Sequence, residues 1–469
     1  MEKAFFFVNG IANDEKSKKL MRRHVMRGKN AGKKIHRRSR LDLQVTQNQP
    51  NVSDGSSRNC AEGNQFDHAK YANWSYLSPD RLSIQFGTTF LTFSLPVEIT
   101  PYSLEIINKF FMYTADRIYP VKLGVSLHDA KFMWLRYLFE SEATYQCQLA
   151  MMQASNEIFH CNGESSTKAM YHLSQTFAQV NKRLQGDDAL SDSTIAIVMT
   201  LVNQEQIRQH LSAAMVHVKG LEKMIELRGG LSQLEGNVPL VLKICKTDII
   251  FALQQGGSTS FFRDHIYDVR KSLRAQDLPF DQDPNVRPSP LENIDPYLQD
   301  ILSDAMSVCS LFNEIGSKSF NYIVFLEVLI SLCCRLLKFR SLHDANTLLD
   351  SQSAHHIGLI TFMMTLFLQN DRCRLINYSL VPVCLKSALR DDLYEQNIEL
   401  SFWLTVIGGI WISDEPENEW IASKLKMGAQ RLGLTCWEDA QEIVYKYPWI
   451  NGLHDQPGRI IWERANQIH

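Results

Sequence analysis

The stretch HLSAAMVHVKGLEKMIELRGGL, from His210 to Leu231, decides the fold class of this chain. Its apolar residues recur at alternating steps of three and four, which places them along one face of a helix with charged residues off that face. Two glycines end the stretch, where a left-handed residue terminates a helix at least cost. The pattern therefore predicts an amphipathic helix that ends at the glycine pair. The apolar positions are Leu211, Ala214, Val218, Leu221 and Ile225, and the glycines are Gly229 and Gly230.

Two more helices are predicted immediately before this one. The first is STKAMYHLSQTFAQVNKRLQ over 166–185, with Ser165 or Ser166 as its N-cap. The second is TIAIVMTLVNQEQIRQ over 194–209, with Asp192 or Ser193 as its N-cap. Short connections join the three segments, so we expect three antiparallel helices packed side by side.

The rest of the chain after residue 100 carries the same type of pattern. A stretch rich in Gly, Pro and Asp over 254–293 predicts a loop-rich break, near 256–292, between two groups of helices. The most apolar run, over 321–339, contains Glu327 and Arg335, so it predicts a buried core helix rather than a membrane span. Residues 101–469 are thus expected to form one large all-α domain of packed antiparallel helices. The helices predicted after the break are 295–313, 319–340, 352–369, 371–390, 396–412 and 417–431.

The chain before this body has a very different charge. Residues 1–40 hold 13 of the 49 Lys and Arg residues but only 3 of the 51 Asp and Glu residues, so the net charge is +10 there and −12 over the remainder. A charge asymmetry of this kind is typical of a tail that binds nucleic acid or another anionic partner. Residues 41–100 are expected to form a polar linker followed by a short segment that either pairs as a hairpin or lies extended. The basic positions from Lys18 onward are Lys18, Lys19, Arg22, Arg23, Arg27, Lys29, Lys33, Lys34, Arg37, Arg38 and Arg40.

Two roles are open for this basic arm. EKSKKLMRRHVMR, over 15–27, predicts a helix with a thin apolar strip, but a helix of that length is marginal in water and is expected to order only against a partner. Two basic clusters separated by about ten residues are the pattern that nuclear import receptors bind. The alternative is electrostatic, sequence-tolerant contact with nucleic-acid phosphates. Import is favoured over direct DNA contact.

Motifs of catalysis and metal binding are not found in the sequence. The chain lacks the dinucleotide-binding, nucleophile-elbow and metalloprotease motifs. Its ten cysteines are scattered without a CxxC pair, which is typical of reduced core thiols. No metal or cofactor is therefore expected.

Three segments resemble a known family. GLEKMIELRGGLSQL, LSFWLTVIGGIW and YKYPWI together with Trp462 resemble the large helical regulatory domain of fungal-specific transcription factors, and FFFVNG with SKKLMRRHVMRGKNAGKK resembles the opening of fungal regulatory proteins. The likeness covers most of residues 104–465. It implies an α-helical regulatory and effector-response domain, often dimeric. The matching positions are Leu221, Arg228, Gly229, Gly230, Trp403, Gly408, Gly409, Pro448 and Trp449.

The chain departs from that family in one respect. The family places this domain behind a binuclear zinc cluster, which needs six closely spaced cysteines, whereas the N-terminal region here contains only Cys60. No DNA-reading residue is carried over, and the matching positions are expected to act in packing and capping.

The leading hypothesis is a nuclear transcriptional regulator or co-regulator that binds other regulators, a second copy of itself or, weakly, DNA, with no membrane association. An α-helical enzyme without a recognisable motif is the first alternative, and clustered acids and histidines in a cleft would distinguish it. A cytosolic scaffold that binds RNA or acidic partners through the arm is the second.

Overall fold

The computed structural model describes residues 99–114, 123, 135, 137–160, 167–274, 294–314, 321–347, 352–367, 376–390, 397–412 and 418–467. Sixteen α-helices and no strand occur within these residues, which confirms the predicted all-α class. The helices are α1 (Pro101–Lys109), α2 (Glu142–His160), α3 (Thr167–Leu184), α4 (Asp192–Ile207), α5 (Leu211–Arg228), α6 (Val238–Gln255), α7 (Ile266–Arg274), α8 (Pro296–Glu314), α9 (Tyr322–Phe339), α10 (Leu342–Thr347), α11 (Ser353–Phe367), α12 (Leu380–Ala388), α13 (Ile398–Ile412), α14 (Asn418–Leu432), α15 (Trp437–Val444) and α16 (Asn451–Gln467).

Helix α5 is the helix predicted from the opening stretch. Ala214, Val218, Leu221 and Ile225 are buried, and Lys219 is exposed on the opposite side. The helix packs against α4, and only three residues join the two, so they run in opposite directions. Hydrophobic periodicity was sufficient to locate this helix.

Helix α4 begins two residues earlier than predicted. Ser191, rather than Asp192 or Ser193, is the N-cap, and its side chain accepts the Thr194 N–H at 3.3 Å. Ser191 has extended backbone angles, which an N-cap requires, whereas Asp192 is already helical. The predicted caps of α3, Ser165 and Ser166, lie outside the described residues.

The predicted break over 256–292 is partly helical. Residues 266–274 form α7, which packs on α9 through buried Val269 and Leu273. Burial of two apolar residues one turn apart stabilises a helix that the surrounding Gly, Pro and Asp residues concealed in the sequence. A single hydrophobic core contains buried residues from both sides of the break, from Leu104 to Ala465.

Five of the six helices predicted after the break agree with the structure to within three residues, whereas α10, α15 and α16 were not predicted. The segment predicted over 371–390 is helical only from Leu380 to Ala388, and residues 368–375 lie outside the description. Pro382 stands in the first turn of α12, where its missing N–H is not needed, so the helix starts shortly before it. The apolar run over 321–339 forms the buried helix α9, capped by Asn321. No described helix has the length and apolarity needed to cross a membrane.

Trp403 organises the packing of the C-terminal helices. Its indole is 1% exposed, its Nε1 donates to the Pro448 carbonyl at 3.2 Å, and its ring stacks on Tyr447 with centroids 5.2 Å apart. The other ring edge lies against Gly358 of α11, where a Cβ atom would overlap it. Two of the segments that resemble the fungal domain, around Trp403 and around Pro448, thus meet in one cluster.

We predict that Gly358→Ala lowers the free energy of unfolding by about 2 kcal/mol, because the tryptophan held by Tyr447 and Pro448 cannot move without losing those contacts. Gly236→Ala is the control, since a Cβ there meets nothing within 4 Å and the expected change is within about 0.5 kcal/mol. Urea denaturation of both variants measures the difference. Equal stability of the two variants would show that Trp403 is not fixed in place.

Candidate functional site

A groove of about 390 Å³ opens beside the C-terminal end of α5. Most of its lining comes from the stretch that predicted the fold, and the remainder comes from the segment that follows α6. The lining residues are Glu222, Ile225, Glu226, Gly230, Leu231, Ser260 and Phe261.

The first wall of the groove is the C-terminal part of α5, and its shape depends on how that helix ends. The Gly229 N–H donates to the Glu226 carbonyl at 3.0 Å and the Gly230 N–H to the Ile225 carbonyl at 2.9 Å, which is a Schellman motif. Both glycines have positive φ, at 101° and 97°, a region that disfavours other residues. The chain therefore turns sharply here, and Gly230 borders the groove.

Arg228 fixes the same helix end to the turn before α4. Its guanidinium contacts the Asp192 carboxylate at 2.5 Å and donates to the Leu190 carbonyl at 2.5 Å. A cation at a helix C-terminus also complements the helix dipole. The predicted structural role of Arg228 thus lies in anchoring the helix end.

The second wall of the groove is the segment that contains Ser260 and Phe261, and a buried carboxylate holds it in place. Asp248 of α6 is 7% exposed and accepts the backbone N–H groups of Ser260 at 3.1 Å and of Phe261 at 2.8 Å. The pKa of Asp248 is raised to about 6, mainly because burial disfavours the charged carboxylate; the two N–H donors lower the pKa, and the neighbouring Glu222 charge adds to the rise. Glu222 also accepts a hydrogen bond from the Ser260 hydroxyl, which joins the two walls.

Arg263 fixes the segment behind that wall. Its buried guanidinium donates to both Glu327 oxygens, at 2.8 and 2.6 Å, and to Glu235 at 2.5 Å. Burial lowers the Arg263 pKa, but the two carboxylates outweigh that effect and raise it, so the charge is permanent. These bonds connect the segment to α9 and to the 3₁₀ turn Leu231–Asn237.

A second buried ion group lies next to the first. Asp304 of α8 contacts both Arg335 of α9 and Arg270 of α7, and Arg335 also lies 3.7 Å from the Asp264 carboxylate. Helices α7, α8 and α9 and the segment between α6 and α7 are therefore joined by ion pairs. Each of these charges would be costly to leave unpaired.

The groove combines an apolar floor with a carboxylate rim. Ile225 is buried and Phe261 half-buried, and Glu222 and Glu226 stand on the adjoining face of α5. Lys223 contacts Glu226 at 2.8 Å, but both side chains are solvent-accessible, so that pair is weak. Leu227 and Phe262, next to groove residues in the chain, are 49% and 48% exposed. This arrangement suits a cationic amphipathic peptide segment.

The sequence-predicted positions divide into three sets. All eleven basic positions from Lys18 to Arg40 lie outside the described residues. Leu221 is buried in the middle of α5, and Arg228, Gly229 and Gly230 lie at its C-terminal end. The remaining matching residues, Trp403, Gly408, Gly409, Pro448 and Trp449, pack in the C-terminal helices.

The C-terminal positions pack against the helices around them. Gly408 lies against Leu385, and Gly409 lies against Ile421 and Ile461, close enough that an added Cβ would contact them at 3.2–3.3 Å. The Trp449 Nε1 donates to Asp455 at 2.7 Å. None of these residues lines the groove.

Sequence reasoning missed Asp248, Ser260, Phe261 and Arg263. The segment over 254–293 was treated as a connecting break, although the adjacent aromatics Phe261 and Phe262, followed by Arg263, were a signal of packing. Asp248 lay within an apolar helix, where a lone acid indicates a buried hydrogen bond.

No group of three or more His, Cys, Asp or Glu residues with the geometry of a metal site occurs in the described part of the chain. The seven cysteines described there are free, and all but Cys436 are buried. Comparison of the chain with family models, curated proteins and solved structures gives no match. The resemblance to the fungal regulatory domain therefore stays a prediction from the sequence.

We predict that Asp248→Asn removes a pH dependence of stability. Because the folded pKa of about 6 lies above the unfolded value of 3.8, Asp248 contributes stability that is complete below pH 4 and is lost as the pH rises to 6, by up to about 3 kcal/mol. The asparagine cannot titrate but still accepts an N–H. Urea denaturation at pH 4, 5, 6 and 7 measures this dependence.

The matched control is Asp268→Asn, since that carboxylate is 72% exposed. We expect the control to follow the parent protein between pH 4 and 6. Parallel curves for Asp248→Asn and the parent would contradict the buried, titrating carboxylate.

Proposed function

We propose that this chain is a nuclear regulatory protein of the fungal transcription-factor type. The helical body binds protein partners, and the basic arm over 1–40 directs nuclear import and contacts nucleic-acid phosphates. The observation that carries the proposal is the division of charge, with net +10 before residue 41 and net −12 after it. Such a division separates a part that binds polyanions from a part that does not.

The body supports a role in protein contact. The groove beside α5 offers carboxylates over an apolar floor, and the residues shared with the fungal regulatory domain form the helix end that borders it. Apolar floors with polar rims are typical of surfaces that hold a peptide segment. The partners are other transcription regulators or a second copy of the chain.

Contact of the arm with DNA is electrostatic in this proposal. The arm offers many Lys and Arg side chains but no zinc cluster, and phosphate contacts position a protein without reading sequence. The affinity should therefore fall steeply with salt, and duplexes of different sequence should bind about equally.

We predict that removing the first basic cluster abolishes nuclear accumulation, because import receptors bind both clusters of such a pair. The test uses the full-length chain fused to a fluorescent protein in fungal cells, with Lys18, Lys19, Arg22 and Arg23 replaced by Ala. The nuclear-to-cytoplasmic ratio should fall to one or below. The control replaces four basic residues of the body, Lys219, Lys271, Arg274 and Arg459, and should remain nuclear.

An even distribution of the parent fusion between the two compartments would contradict the proposal. It would favour the cytosolic scaffold, which needs the same basic arm but not the nucleus.

A further inference from the structure

We propose that residues 16–27 of the basic arm dock in the groove beside α5 of the same chain. The groove would then hold the arm away from nucleic acid until a partner displaces it. The proposal extends the proposed function by naming an occupant of the groove and a means of regulating the arm.

The groove side is formed by Glu222 and Glu226 above Ile225 and Phe261. Both carboxylates lie on one face of α5, four residues apart, so a cationic segment lying along the helix can meet both. Lys223 is the basic residue that pairs with this rim, and its contact is solvent-accessible. Arg228 and Arg263 are bound to Asp192 and to Glu327 and Glu235, so neither repels a cation in the groove.

The arm side has the complementary composition. Between Lys16 and Arg27 the sequence carries Lys18, Lys19, Arg22 and Arg23 together with the apolar Leu20, Met21 and Val25. The apolar residues suit the half-buried Phe261 and the exposed Phe262 beside it, and the cations suit the rim. This combination matches a mixed apolar and acidic groove better than a purely acidic surface, which would not select the apolar strip.

The connecting chain is long enough. Residues 28–98 amount to 71 residues, and a chain of that length can span at most on the order of 240 Å, which is more than the width of a compact domain of this size. Tethering by a segment of this length gives an effective concentration on the order of a millimolar. A docking affinity of about 0.1 mM is then enough for about tenfold protection of the arm.

Hydrogen–deuterium exchange of the full-length protein tests the docking itself. Amides of residues 16–27 should exchange about tenfold more slowly at 50 mM salt than at 1 M salt, where screening acts within about 3 Å. Glu222→Gln/Glu226→Gln should lose this protection while the exchange of the body stays unchanged. The control, Glu419→Gln/Glu463→Gln, removes two exposed carboxylates elsewhere and should keep it.

Charge exchange makes the test specific to this pair of surfaces. Glu222→Lys/Glu226→Lys alone should abolish protection of the arm. Adding Arg22→Glu/Arg23→Glu to that variant should restore it, because the complementary charges are present again with their signs reversed.

Three outcomes would overturn the proposal. They are an arm that exchanges at the unprotected rate in the parent protein, protection that persists in Glu222→Gln/Glu226→Gln, and protection that grows with protein concentration, which would place the arm on a second copy. Exchange does not depend on where the protein resides in the cell. Failure of nuclear import and failure of docking are therefore distinguishable.

Discussion

The structure around the groove depends on one constraint: the guanidinium of Arg263 is buried and must remain paired. Its side chain is 3% exposed, and the Glu327 and Glu235 carboxylates supply its partners from α9 and from the 3₁₀ turn after α5. An unpaired charge at this depth would be far more costly than the pair. The segment between α6 and α7 is consequently fixed against both elements, although it has no helical hydrogen bonds of its own. Ser260 and Phe261 are held at the groove by that anchorage together with Asp248.

In the helical body, the residues that pack the core are distinct from the residues that line the groove. Trp403, Pro448 and Gly358 occupy the interior of the C-terminal helices, where close packing leaves no room for another role. The groove instead lies at the C-terminal end of α5, where Gly229 and Gly230 let the chain turn. The positions that predicted the fungal-domain resemblance thus fall in two places. Trp403 and Pro448 are buried in the core, and Gly229 and Gly230 shape the edge of the groove.

Sequence periodicity predicted most of this fold because the helices obtain their stability from burying one apolar face. Helix α5, its glycine end and the buried helix α9 were all determined by local pattern. Helix α7 was not, because its stability comes from contacts of Val269 and Leu273 with distant α9. The groove was missed for the same reason. Its walls are 29 or more residues apart in sequence, and the contacts that hold them, such as Ser260 with Glu222 and Arg263 with Glu235, leave no periodic signal.

A double-mutant cycle on Arg263 and Glu327 tests the central claim most directly. The free energy of unfolding in urea is measured for Arg263→Met, for Glu327→Leu and for the double variant. Arg263→Met leaves the buried Glu327 carboxylate without its partner and should cost about 3–5 kcal/mol. Glu327→Leu leaves Arg263 paired with Glu235 alone and should cost less. The double variant removes both charges of the pair and should lose no more than Arg263→Met. Glu235 is left to solvent in the variants that lack Arg263, because its side chain is 39% exposed. Losses that simply add in the double variant would contradict the account and show that the two residues stabilise the body independently.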